Sequence, residues 1–253
     1  GRVTAASIEN ALREDTALVS VMQVNNELGT LSDIADIASL CRRYGVLSHT
    51  DGAQSFGKIP VDVKALGVDM FALSGHKIYG PKGVGALYVR RAEGLKLTSQ
   101  LHGGGHEMGM RSGTLPTHQI VGLVAAAALM HEDMIAENQR IEALRRRFER
   151  SVLQHPGTFV NGHLDARIPQ ILNVAFAGLS GETLLLSLKD IAISSGSACN
   201  STSVKPSHVL TGIGLEEATA DASLRFSFGR YTTTDDIDLA AAHLADVIAR
   251  LRA

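Results

Sequence analysis

In Met70-Phe71-Ala72-Leu73-Ser74-Gly75-His76-Lys77, four apolar residues give way to small and polar ones. A short apolar run closed this way is a strand ending in a turn. Upstream, Val46 to Thr50 is a second such run and stops at Asp51, while Ala17 to Met22 is a third and ends in Asn25-Asn26-Glu27-Leu28-Gly29. Between those two runs, Ser32-Asp33 precedes apolar residues at Ile34, Ile37, Leu40 and Cys41, a spacing of three and four that predicts a helical face. Ser7 to Arg13 is another amphipathic stretch and Val84 to Val89 another strand. Strand, turn and helix in repetition predict an α/β fold: a mainly parallel sheet flanked by helices. Ligands of such sheets sit beyond the carboxyl ends of the strands, which singles out Asn25, Asn26, Asp51, Gln54, Ser74, His76 and Lys77.

Downstream the pattern changes. Thr117 to Leu153 is helical throughout, first Ala-rich and then charged from Glu132 to Arg150. There Arg145-Arg146-Arg147 alternates with Glu142 and Glu149 as a solvated face would. After His155-Pro156-Gly157 come short strands at Phe159-Val160, Ile171 to Phe176, Ile191 to Ser194 and Ser223 to Phe228, with helices near Glu182 to Lys189 and Thr234 to Arg252. The expected division is residues 1–130 as part of a large α/β domain, and 131–253 as a long linking helix with a small C-terminal α+β domain. Because the chain opens on Gly1 in mid-pattern, an N-terminal portion of the large domain is expected to be missing.

Composition limits the function classes. The 253 residues are 45% hydrophobic and 20% charged, a globular balance. A net charge of −2, no Trp and only seven Phe and four Tyr argue against nucleic acid as a partner. The longest apolar run, Ile120 to Met130, is too short to span a bilayer, and no charged-then-apolar signal segment opens the chain. Two cysteines without CxxC spacing make neither a disulfide framework nor a zinc site. Together these features predict a cytoplasmic protein with no membrane partner and no resident metal.

Two motif readings fail. Gly75 to Gly80 with Pro81-Lys82 lacks the Gly-Lys-Ser/Thr ending of a phosphate loop, and His102-Gly103-Gly104-Gly105-His106 has neither a helix to pair its histidines nor a GxSxG nucleophile to serve. Lys77 is more informative. A lysine directly after a strand, in a partly desolvated glycine-rich turn, can lower its pKa and form a Schiff base with an aldehyde. Pyridoxal phosphate uses such a lysine and needs a carboxylate against its ring nitrogen, which Asp51 at the neighbouring strand end can supply. Singly, each residue has an ordinary alternative: Lys77 a solvated loop lysine, Asp51 a helix cap, His76 a hydrogen-bonded turn histidine. Their joint placement at successive strand ends, with Gln54 one turn after Asp51, favours the cofactor. Cys41 sits on an apolar helix face as a small hydrophobe does. Cys199, in Ser194-Ser195-Gly196-Ser197-Ala198-Cys199-Asn200-Ser201-Thr202-Ser203, has no apolar anchors beside it and is expected to be a mobile, exposed thiol.

These segments, with His49 to Gln54, Ser74 to Gly83 and His102 to Thr114, resemble the motifs of the cysteine desulfurases, fold-type I pyridoxal-phosphate enzymes of the class V aminotransferase group, in their IscS/NifS branch. The resemblance covers essentially the whole chain. It implies that Lys77 is the Schiff-base lysine, Asp51 the partner of the pyridine nitrogen and Gln54 a hydrogen-bond partner of the phenolic oxygen. Asn26 contacts cofactor and substrate; Ser74, Gly75 and His76 hold the phosphate, with Thr114 reaching it from the other subunit of a homodimer; Arg225 binds the substrate carboxylate. Cys199 is the nucleophile that takes sulfur from L-cysteine as a persulfide and passes it to a scaffold protein for iron–sulfur cluster assembly, where it can also be a transient cluster ligand. Asn200 departs from the family's Thr or Ser. The family's N-terminal Gly-Ala-Thr phosphate turn, its ring-stacking histidine and its C-terminal scaffold-docking extension are not in this sequence. The alternatives are a selenocysteine lyase, another class V enzyme, or a non-catalytic fragment.

Overall fold

The computed structural model describes residues 1–92, 95–194 and 206–253. They form two units, one of Ala5–Met22 and Ile34–Glu132, the other of Gly1–Thr4, Gln23–Asp33 and Asp133–Ala253. The long helix is divided between the two units after Glu132. The segment Gln23–Asp33, however, groups with the C-terminal unit rather than with the sheet it follows in sequence.

The first unit runs α1 (Ala5–Glu9), β1 (Leu18–Met22), α2 (Ile34–Tyr44), β2 (Leu47–Asp51), α3 (Val63–Leu66), β3 (Met70–Ser74), β4 (Gly85–Val89) and the opening half of α4 (Thr117–Val152). The strands lie in the order β1-β2-β3-β4, the first three parallel. β4 is antiparallel to β3, because residues 75–84 form a tight return too short for the crossover that a parallel strand needs. The apolar spacing of α2 works as expected: Ile34, Ile37, Ala38, Leu40 and Cys41 are all buried.

Along β2, Ser48 and Thr50 are buried while Leu47, His49 and Asp51 point to the other, more open face, the period of two that a pleated strand imposes. The buried polar side is satisfied internally. Asp69 Oδ2 accepts from Ser48 N at 2.8 Å and Ser48 Oγ at 2.9 Å, and its Oδ1 accepts from Arg90 Nε at 2.9 Å. Part of α4 is long and apolar enough to cross a membrane, contrary to the expectation from run length. On that part Leu123 and Met130 are buried with Ile78, while Val121, Val124, Leu129 and Ile135 are exposed.

The second unit adds β5 (Thr158–Val160), β6 (Ile171–Phe176), α5 (Gly181–Ser187), α6 (His208–Gly212), α7 (Glu217–Asp221), β7 (Ser223–Ser227) and α8 (Thr234–Arg252) to the closing half of α4. β6 is the central strand of an antiparallel sheet ordered β5-β6-β7, and all six of its residues are buried. Ile141, Leu144 and Phe148 of α4, with Leu244, Val247 and Ile248 of α8, build one core with it. Thr233 and Asp236 form a reciprocal capping box at the start of α8.

Two expectations are corrected here. Ile191–Ser194 is no strand: only Ser194 makes a bridge, to Arg225. Arg145 is not on a solvated face; it is 4% exposed and paired with Glu142 and Glu149, while Arg147 reaches Asp238 on α8.

Candidate active site

In the first unit, two candidate residues share one sheet edge. Asp51 ends β2 in register with Ala72 of β3, so Ser74 lies two residues beyond that level and Lys77 five. The edge is held tightly. Gly52 N donates to Ala72 O at 2.8 Å, and a Cβ on Gly52 would fall 1.9 Å from Phe71 Cζ, so only glycine lets the two strand ends approach this closely. Asp51 is half-buried, and its Oδ1 accepts from Ala53 N at 2.8 Å. In the same turn, Gln54 Oε1 accepts from Lys58 Nζ at 2.7 Å, which leaves the Gln54 amide nitrogen as a donor.

After β3 the chain makes a 3₁₀ turn over Gly75–Ile78. With three residues per turn, Gly75 and Ile78 share the inner side and are buried, and His76 and Lys77 face outward. Ile78 packs against Leu123 and Met130 and so anchors a turn whose functional side chains are free of the core. The turn ends at Tyr79 in the left-handed region, φ 64°, a strained conformation for a tyrosine. Lys77 is exposed, not in the partly desolvated pocket expected for it, and among the described residues it has no hydrogen-bond or ionic partner. Thr114 is exposed on a loop where Ser112 alone is buried between Leu101 and Leu115, and where Glu107 and Met108 both take positive φ. Among the described residues no cluster of His, Cys, Asp and Glu is arranged to hold a metal.

In the second unit, the turn Asn25–Thr30 carries Asn26. Asn25 Oδ1 accepts from Glu27 N and Leu28 N, each at 2.9 Å, an Asx turn that explains the paired asparagines. The next three carbonyls are each held from outside: Asn26 O by Arg225 Nη1 at 3.1 Å, Glu27 O by Asn173 Nδ2 at 3.3 Å, and Leu28 O by Arg167 Nη2 at 3.1 Å. Burial pulls the Arg167 guanidinium down to about 10, with Arg145 adding to the effect. Asn26 and Arg225 are thus brought together.

Sequence reasoning missed Glu27, Asn173 and Arg167, which hold this turn. The signal available was a glutamate next to Leu28 within an otherwise neutral turn. Cys199 lies outside the described residues. Cys41 is fully buried on α2, and burial, followed by the Asp69 carboxylate, pushes its thiol pKa up.

Residues 1–239 match the family Aminotransferase class-V. The chain is 54% identical over 252 residues to the cysteine desulfurase IscS of Aeromonas hydrophila, covering 100% of this chain and 62% of that protein. A solved NifS-like protein from Rickettsia africae superposes with a TM-score of 0.88 at 30% identity, over 98% of this chain and 67% of the other. A structure titled SspA in complex with cysteine superposes with a TM-score of 0.77 at 40% identity, over 92% and 64%. The chain thus spans about 62% of the length of the curated relatives it matches. With parallel strand ends presenting a carboxylate and a lysine, and a family match over most of its residues, the chain belongs to the class-V aminotransferases.

Proposed function

We propose that this protein is a cysteine desulfurase, which converts L-cysteine to L-alanine and carries the released sulfur on Cys199. The observation that carries the reading is the shared sheet edge of Asp51 and Lys77. Its donor set suits pyridoxal phosphate. One half-buried carboxylate, Asp51, can accept from a protonated ring nitrogen, and Ser74 and His76 on the adjoining strand end can donate to a phosphate, whereas the Gly75 N–H is already given to Val84 O at 2.9 Å. Gln54 keeps its amide nitrogen for the phenolic oxygen because Lys58 occupies its carbonyl. Bound there, pyridoxal phosphate supplies an aldehyde and an electron-withdrawing ring.

Lys77 provides the amine for covalent attachment and the base that moves a proton at the substrate carbons. Arg225 binds the substrate carboxylate with its fork of donors, beside Asn26. The Cys199 thiolate attacks the substrate sulfur: an S–S bond forms, the Cβ–S bond breaks, and the electron pair left on carbon is protonated to the methyl group of alanine. Cys199 then holds a persulfide for an acceptor protein in iron–sulfur cluster assembly. The enzyme works as a cytoplasmic homodimer in which Thr114 of one copy reaches the phosphate held by the other. The test is to load the full chain with pyridoxal phosphate, add L-cysteine, and measure alanine together with sulfur on Cys199. Equal yields of both support the reading, and absence of alanine from loaded protein overturns it.

A further inference from the structure

Glu27 is 1% exposed and takes no part in the chemistry above. Its Oε2 accepts from Ser207 Oγ at 2.6 Å. Ser207 in turn caps α6, accepting from Val209 N at 3.2 Å and Leu210 N at 3.4 Å. At the other side of the turn, Arg225 N donates to Ser194 O at 2.9 Å while its Nη1 holds Asn26 O. Ser194 and Ser207 flank residues 195–205, so both flanks of the Cys199 stretch are fastened to one turn, the leading one through Arg225 and the trailing one through Glu27.

Docking α6 does not require the carboxylate. Leu210 already packs on Leu28 in an apolar cluster, and a buried carboxylate carries a desolvation cost that an apolar contact avoids. What the carboxylate adds is direction: a short, charge-assisted bond that fixes where Ser207 sits relative to Asn26 and Arg225.

We propose that Glu27 is a positioning residue for sulfur transfer, acting through Ser207 on the span that Cys199 must bridge. The inference rests on the desulfurase reading. Its test uses the full chain loaded with pyridoxal phosphate and two readouts, the change in cofactor absorbance on adding L-cysteine and single-turnover transfer of sulfur to Cys199, trapped by alkylation. Glu27→Ala should keep the absorbance change and slow the transfer by about tenfold to a hundredfold, the cost of a misplaced reacting group. Glu27→Gln, which still accepts from Ser207 Oγ, should restore transfer to within about threefold. Ser207→Ala, which also removes the α6 cap, should be at least as slow as Glu27→Ala, and the double variant should be no slower than Ser207→Ala, because the bond to Glu27 is already lost in it.

Transfer at the wild-type rate in Glu27→Ala, or loss of the absorbance change along with transfer, overturns the positioning role while leaving the desulfurase reading intact. Wild-type protein that loads no sulfur on Cys199 overturns both.

Discussion

Arg225 Nη1 donates to the backbone carbonyl of Asn26 at 3.1 Å, joining two candidate residues that lie 199 positions apart in the chain. The bond aims the guanidinium and holds the turn at once. A lysine keeps the charge but lacks the second prong for a carboxylate. Arg225→Lys should therefore raise KM for cysteine by about tenfold and lower kcat less, in steady-state kinetics on the loaded protein. An unchanged KM would move carboxylate recognition elsewhere.

Lys77 is exposed at a sheet edge with its turn pinned by Ile78, so removing its side chain leaves the packing untouched. Lys77→Ala should keep the wild-type unfolding midpoint and lower alanine production by several orders of magnitude, since both the covalent anchor and the base are gone. Near-normal alanine production would contradict the assignment.

Gly52 has no room for a side chain, because a Cβ would meet Phe71 Cζ at 1.9 Å. Gly52→Ala must push apart β2 and β3 next to Asp51. Urea denaturation should show a loss of about 1–3 kcal/mol or more, accompanied by weaker retention of pyridoxal phosphate.

Asp69 ties Ser48 to Arg90 beneath the sheet. Burial opposes its charge, but hydrogen bonds from Ser48 and Arg90 outweigh that and hold its pKa below the ordinary carboxylate value. A depressed folded-state pKa gives stability that is complete above the unfolded value, near about 4, and lost as pH falls through the folded one. Asp69→Asn should cost about 1–3 kcal/mol at neutral pH, and the gap to wild type should close in acid, as read by denaturation at both pH values.

Much of the sheet unit was legible because each element announces itself locally. The spacing of Ile34, Ile37, Leu40 and Cys41 gave α2, and abrupt polar turns marked the strand ends at Asp51 and Ser74. What local pattern leaves open is which way a strand runs and what packs over an element. The reversal of β4 depends on the length of the return from β3, and the burial of Arg145 on carboxylates one turn away on its own helix and a core beneath it. The short helices α3, α6 and α7 span a single turn each, too little for periodicity to register. The exposure of Lys77 follows from the phase of a 3₁₀ turn, set by which of its residues Ile78 anchors. The role of Glu27 depends on Ser207, 180 residues away.

On the desulfurase proposal Cys199, and not Cys41, receives sulfur from L-cysteine. Cys41 is fully buried with its thiol pKa raised by burial, so it is protonated at neutral pH and shielded from substrate. The most direct measurement is a single turnover of the loaded protein with L-cysteine, followed by alkylation, peptide mapping by mass spectrometry and quantitation of alanine. The expected result is one added sulfur on the Cys199 peptide for each alanine formed, with the Cys41 peptide unchanged and Cys199→Ser forming neither. Sulfur mapped to Cys41, or full alanine production by Cys199→Ser, would contradict it.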